Sequence, residues 1–198
     1  FLHYDHADVR EDALGYMVEN QHLRHAVLTA ITDAPAVMYL APDEIDALEH
    51  SETAVIARLK GGDHITAPLI IGADGRNSFV RDHAGLELTQ WPYHQSGIVC
   101  TIAHEEPHHN IAHEHFYPAG PFAILPLTGN RSSIVWTESE VDAADIVALP
   151  DDDFIWELTQ RAGDFMGALE VVGPRWSYPL SLQYTKTSTA PRVALAGD

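Results

Sequence analysis

The sequence predicts an α/β (α+β) fold, and three features carry that expectation. Two apolar runs, Leu69, Ile70 and Ile71 and then Val193, Ala194 and Leu195, each lead within a few residues into a glycine and an aspartate. That is the pattern of a short buried strand whose carboxyl end opens into a crevice, the edge of an open sheet where ligands bind. Between the two runs, residues 96–137 carry branched and aromatic side chains in segment after segment, as an antiparallel sheet does. Behind Asp151, Asp152 and Asp153, an apolar stripe of Phe154, Ile155, Leu158, Ala162, Phe165, Met166 and Leu169 keeps helical spacing, so helices are expected on one face of that sheet.

Each element follows in order. Leu23, Ala26, Val27, Ala30 and Ile31 recur at helical spacing after Asn20, which reads as an N-cap, so a helix is expected over residues 20–32. Residues 53–59, Gly61-Gly62 and residues 64–71 read as a hairpin running into a turn at Asp74. In that turn Gly72 and Gly75 permit positive φ and a close approach of a ligand to the backbone. Asp74 either accepts from a ligand's hydroxyls or orders the turn through its own backbone, and Ser78 or Asn77 caps a short helix toward Arg81. Strands are expected at 96–103, 112–117, 122–127 and 132–137, with Thr128-Gly129-Asn130 turning the last pair. The final run delivers Gly197 and Asp198, a carboxylate placed to accept from sugar hydroxyls. Either glycine–aspartate pair alone is equally the ordinary punctuation of a strand-to-turn junction. Three stretches result: residues 1–91 with the Asp74 turn, residues 92–182 with the antiparallel sheet and its helix, and residues 183–198 as a strand returning to the first stretch.

Composition narrows the function. The 198 residues are 45% hydrophobic, enough to bury the core of one large or two small domains. The formal charge is −18, from 11 Lys and Arg against 29 Asp and Glu. No nucleic-acid partner is expected, because phosphate binding needs clustered cations. Anionic membrane surfaces are disfavoured as well, unless a local apolar patch makes the contact. Cys100 is the one cysteine, which excludes an internal disulfide and fits a reducing compartment. It lies within the apolar residues 98–102 and is expected to be a small core residue. No apolar stretch reaches the length of a membrane-spanning helix, and Phe1 opens neither a signal peptide nor a methionine start, so the chain is expected to be part of a longer one.

At this point the residues carry a resemblance. Gly72-Ala73-Asp74-Gly75 with Ser78 and Arg81 resembles the second fingerprint of the FAD-dependent aromatic hydroxylases typified by p-hydroxybenzoate hydroxylase, and Gly197-Asp198 resembles the start of their third. Residues 15–28, GYMVENQHLRHAVL, and residues 120–138, GPFAILPLTGNRSSIVWTE, are similar to the ubiquinone-biosynthesis hydroxylase branch. The similarity runs over nearly the whole chain in the family's order. It implies part of a p-hydroxybenzoate hydroxylase-like FAD domain in residues 1–91 and 183–198, and a substrate domain in residues 92–182.

The activity so implied is hydroxylation of an aromatic ring, with a polyprenylated phenol as substrate, O₂ as oxidant and NAD(P)H as reductant, the flavin doing the redox chemistry. For this chain the resemblance assigns cofactor contacts to Asp198 and Gly197, to Asp74, Gly75, Ser78 and Arg81, and to Asn20 and Gln21. Arg81 is equally a structural ion-pair residue, and an N-cap explains Asn20 as well. Phe122, Ile124, Leu125 and Pro126 are assigned to the substrate wall, with ordinary core packing the competing account of Phe122 and Ile124. No general base stands out. The implied location is cytoplasmic, with peripheral contact to the inner membrane or to a ubiquinone-biosynthesis complex. The family opens with a strand and a G-x-G-x-x-G turn, which nothing here matches, so the 198 residues alone are expected neither to hold FAD nor to turn over.

Three alternatives compete: a flavin hydroxylase of another branch acting on a soluble aromatic, a non-catalytic relative, and a metal-binding protein. The last rests on His104, His108, His109, His113 and His115 with Glu105, Glu106 and Glu114. Without H-E-x-x-H or paired cysteines, no metal site is expected.

Overall fold

The structure, a computed structural model, describes residues 2–10 and 12–197. In chain order its elements are α1 (His6–Val9), α2 (Asn20–Thr32), β1 (Ile45–His50), β2 (Val55–Leu59), β3 (His64–Ala67), β4 (Ile70–Gly72), α3 (Phe79–His83), β5 (Leu88–His104), β6 (His113–Tyr117), β7 (Gly120–Leu127), β8 (Arg131–Ser139), α4 (Glu140–Val147), α5 (Asp151–Ala162), β9 (Leu169–Thr185), β10 (Thr189–Ala190) and β11 (Val193–Leu195). They form two compact units. One contains the described residues up to Ala34 together with His94–Leu180, the other Pro35–Tyr93 and the described residues from Ser181 on. The stretch expected as residues 1–91 is therefore divided, its described residues up to Ala34 grouping with the antiparallel sheet.

The first unit is built on a five-stranded sheet of order β6-β7-β8-β5-β9. Strand alternation sorts its side chains. Register pairs Ile98 and Phe122 with Trp136, and Cys100 and Ile124 with Ile134, so these apolar residues share one face. On that face they close over Phe154, Leu158 and Ala162 of α5, Ala143 of α4 and Met166. Trp136 makes edge contacts with Phe122 and a tilted one with Phe154, each at 5.9 Å between centroids, and its indole N–H donates to Glu138 Oε1 at 2.8 Å. Cys100 lies in this core, and burial pushes its thiol pKa up to about 12. It is packing material rather than a nucleophile.

Helix α4 was absent from the expected elements, although Ser139-x-x-Asp142 announces it: Ser139 Oγ accepts the Asp142 amide at 3.1 Å and donates to its carboxylate. Helix α5 begins at the three aspartates as expected but stops at Ala162, so the helical stripe does not reach Leu169, which opens β9. Gly163, at φ +86°, ends the helix, while the Tyr117 hydroxyl and His115 Nδ1 donate to the Arg161 carbonyl at 2.7 and 3.1 Å. Helix α2 spans the predicted residues, but its N-cap is Glu19, not Asn20. Gln21 and Arg131 occupy the Glu19 carboxylate at 3.0 and 2.9 Å, so no side chain caps the helix.

In the second unit β1-β2-β3 is an antiparallel sheet, with Val55, Ala57 and Leu59 of β2 turned inward. The strand expected over 64–71 is broken. β3 ends at Ala67 and β4 joins a different sheet, of order β10-β11-β4, because Pro68 has no N–H to continue the ladder. In that sheet β11 lies parallel to β4, Val193 opposite Ile70 and Leu195 opposite Gly72.

Candidate functional site

Parallel pairing of β4 and β11 brings the carboxyl ends of the two apolar runs side by side, and the Ala196 amide extends the ladder to Gly72 O at 2.9 Å. Both chains then turn at glycine, Gly75 at φ +79° and Gly197 at φ +88°, and a Cβ on either would meet no atom within 4 Å. A cleft of about 310 Å³ opens here, lined by Asp74, Gly75, Arg76, Gln183, Thr185 and Gly197 among others. Behind it Gly72 is crowded: a Cβ there would lie 2.8 Å from Val80 Cβ and 2.9 Å from Leu195 Cδ2. Gly72 thus serves strand–helix packing, and Gly75 and Gly197 serve access.

The Asp74 turn is held by its own side chains. Ser78, the N-cap of α3, donates to Asp74 Oδ1 and accepts the Arg81 amide at 3.0 Å, while the Val80 amide donates to Asp74 Oδ2 at 3.2 Å. Burial by itself would raise the Asp74 pKa, but the Ser78 hydroxyl and the Val80, Asp74 and Phe79 amides outweigh it and hold the carboxyl below its usual value. Of the two roles open to Asp74, ordering the turn is the one its contacts show. Arg81 is buried, donating through Nη1 to Arg76 O at 2.7 Å and through Nε to Asp82 at 2.8 Å. Replacing Ser78 by alanine is expected to cost about 0.5–2 kcal/mol at neutral pH. An Asp with a depressed folded pKa contributes stability above the ordinary carboxylate range and loses it as pH falls through its folded value. The gap between Ser78→Ala and wild type should therefore narrow on acidification. Urea midpoints at neutral and acid pH test this, and a gap that stays constant would exclude the Asp74 coupling.

The other expected site residues are scattered. Gly197 lines the cleft, and Asp198 lies outside the described residues. Asn20 and Gln21 are exposed at the start of α2, in the sheet unit. Phe122 and Ile124 are at most 1% exposed and belong to the core against α5, so neither presents a surface to a ligand. The period of two along β7 decides this, and it turns Leu125 to the opposite face, where it is half-buried. Pro126 is likewise half-buried. Sequence reasoning missed Arg76, although it sits inside the motif beside Gly75, and it missed Gln183, Thr185 and Ser188, whose polar stretch carries no pattern.

Two of the histidines hold loops. His104 is buried, with Nδ1 donating to Glu106 O at 2.7 Å and Nε2 accepting the Ser132 hydroxyl at 3.1 Å. His108 Nε2 donates toward the carbonyls of Leu127 and Gly129, and its Nδ1 accepts the Asn110 amide at 2.9 Å. His113 stacks beside Phe165, where burial and then the neighbouring His115 lower its pKa. Among the described residues no three His, Cys, Asp or Glu side chains converge as a metal site.

The cleft suits part of a phosphorylated cofactor such as FAD. Two side-chain-free backbone turns at the carboxyl ends of parallel strands let a bulky ligand approach, hydroxyl and amide side chains line the wall, and Arg76 supplies a cation. Fold and cleft together define an α+β nucleotide-cofactor-binding protein. The family model described as an FAD binding domain matches residues 16–198, and the chain belongs to that family. Ubiquinone hydroxylase UbiL of Rhodospirillum rubrum is 47% identical over 198 residues, all of this chain and 46% of that protein. The 3-demethoxyubiquinol 3-hydroxylase of Escherichia coli is 34% identical over 197 residues, 98% of this chain and 50% of that protein. Among solved structures, p-nitrophenol 4-monooxygenase PnpA from Pseudomonas putida superposes with a TM-score of 0.71 at 15% identity, over 90% of this chain and 46% of that one, a likeness of fold. The chain spans about half the length of the curated relatives it matches.

Proposed function

We propose that this chain is part of an FAD-dependent monooxygenase that hydroxylates a phenol ring with NAD(P)H and O₂, and that its substrate is a polyprenylated phenol of ubiquinone biosynthesis. The observation that carries this is the 47% identity across the whole chain to a ubiquinone hydroxylase, on a fold whose two glycine-ended strands meet at one cleft. When bound, FAD supplies the redox chemistry that neither the carboxylates nor the one thiol of this chain provide. Gly75 and Gly197 admit it to the backbone, and Asp198, next along the chain from Gly197, is the residue for its ribityl hydroxyls.

On the substrate side, the face of the sheet turned away from α4 and α5 carries Val99, Leu125 and Val135, apolar and partly buried. An aromatic ring would rest on these residues, with Phe122 and Ile124 supporting them from behind. Such a face excludes water and orients the ring, the two services an oxygen transfer needs from the protein. A polyprenyl tail partitions into a bilayer. We therefore place the protein in the cytoplasm, in peripheral contact with the inner membrane or with other enzymes of ubiquinone biosynthesis. The charge of −18 offers anionic lipid no attraction, so apolar surface would make that contact. No helix among the described residues is long and apolar enough to cross a membrane.

The full-length protein should purify yellow and oxidise NAD(P)H at least several-fold faster with a prenylated phenol than with a hydroxybenzoate, yielding a product heavier by one oxygen. Preference for the benzoate would overturn the substrate and leave the flavin chemistry. A colourless protein that takes up no FAD would overturn both.

A further inference from the structure

We propose that Arg76 is the anion-contacting residue of the cleft and donates to the diphosphate of a bound dinucleotide, a role that the sequence motif suggests for Arg81 instead. The inference rests on the cofactor reading of the cleft and assigns the residue that grips the ligand there.

The two arginines differ in what their guanidinium groups are free to do. Arg81 is 8% exposed, and each of its three nitrogens is already engaged, Nη1 by the Arg76 carbonyl and Nε and Nη2 by Asp82. Although it also borders the cleft, it clamps the backbone of the turn. Arg76 is exposed on the cleft. Its Nη2 donates to the Ser181 carbonyl at 3.1 Å and the Ser181 hydroxyl at 2.5 Å, which fixes the head group. Among the described residues its Nε and Nη1 have no hydrogen-bond partner. An arginine offers five N–H donors, so several remain for a ligand. With its carbonyl held by Arg81 and its head by Ser181, the group is oriented before any ligand arrives, which lowers the ordering cost of binding.

Charge decides the ligand class. In a chain of formal charge −18, an anion is repelled except where a cation faces it, and Arg76 is the exposed cation of the cleft, Arg81 being buried in its wall. The Asp74 carboxylate nearby is engaged by Ser78 and the Val80 amide. The Thr185 and Ser188 hydroxyls and the Gln183 amide add neutral donors, and the positive-φ glycines Gly75 and Gly197 leave room for oxygens to approach the backbone. A guanidinium among hydroxyl donors and bare backbone matches a diphosphate, which FAD and NAD(P)H both contain.

The test uses the full-length protein and Arg76→Gln, with Arg76→Lys as a second variant that keeps the charge. Dissociation constants are measured for FAD, for riboflavin, which lacks phosphate, and for NADPH and NADH on the FAD-loaded protein. Loss of a charge-assisted contact predicts about 10–100-fold weaker binding of one dinucleotide in Arg76→Gln, partial recovery in Arg76→Lys, and unchanged riboflavin affinity. Weakened FAD with unchanged NAD(P)H identifies the flavin's diphosphate, and the reverse identifies the nicotinamide dinucleotide's. Wild-type affinity of Arg76→Gln for both dinucleotides would overturn the assignment, as would an equal loss for riboflavin. A wild-type protein that binds no FAD would instead overturn the cofactor reading on which the assignment stands.

Discussion

Phe122→Ala is expected to destabilise the protein by about 3–5 kcal/mol, the range for removing a fully buried aromatic ring from a core that relaxes only partly. Phe122 is 0% exposed, packs edge-on to Trp136 at 5.9 Å, and stands in the cluster that joins β5, β7 and β8 to α5. Its removal leaves a cavity beneath α5 and deprives Trp136 of a neighbour. Leu125→Ala, on the other face and only half-buried, should cost distinctly less. Urea unfolding followed by tryptophan fluorescence measures both. A loss below about 1 kcal/mol in Phe122→Ala, joined to a raised KM for the phenol, would return Phe122 to the substrate wall.

Gly72→Ala is expected to cost about 1–3 kcal/mol, the range for overpacking a filled site. The added methyl would sit 2.8 Å from Val80 Cβ and 2.9 Å from Leu195 Cδ2, so α3 or β11 must move. Both belong to the scaffold of the cleft, and the substitution should also weaken ligand binding there. Gly75→Ala makes the contrast: its Cβ meets nothing within 4 Å, and its cost, about 1 kcal/mol, comes from the positive φ alone. Denaturation midpoints of the two variants should fall in that order. If Gly75→Ala were the more damaging to stability, the crowding at Gly72 would not be the constraint that matters.

These two expectations mark where sequence patterns end. The apolar run of β7 announces a strand at residues 122–127, and the alternation announces two faces, but which face meets helices and which meets a ligand depends on what packs above and below. That is why the wall expected from Phe122, Ile124, Leu125 and Pro126 does not hold together: Phe122 and Ile124 go to the core and Leu125 to the opposite face. The histidines show the same limit. Their crowding in residues 104–115 is visible in the chain, whereas their partners include a serine of β8, a carbonyl of β7 and a carbonyl in the last turn of α5, 46 residues away. Where a signal was local, it carried through: Ser78 caps α3, the three aspartates open α5, and Thr128-Gly129-Asn130 joins β7 to β8. Where a competing local signal was passed over, as with Pro68 inside residues 64–71 or Gly163 inside the α5 stripe, the expected element ran too long.

By itself the sequence determined the mixed α and β character, the antiparallel sheet with helices on one face, the buried role of Cys100, and the two strands ending in Gly72 and Leu195, because periodicity, caps and turn residues act over a few neighbouring positions. Only the tertiary structure decided that those strands lie parallel and adjacent although more than a hundred residues separate them, that Gly75 and Gly197 therefore open on one cleft, and that Arg76 faces it while Arg81 is buried. The reason is physical: strand partners and the direction of a guanidinium are set by long-range packing and by which donors are already satisfied, and neither is encoded in the spacing of residues along the chain.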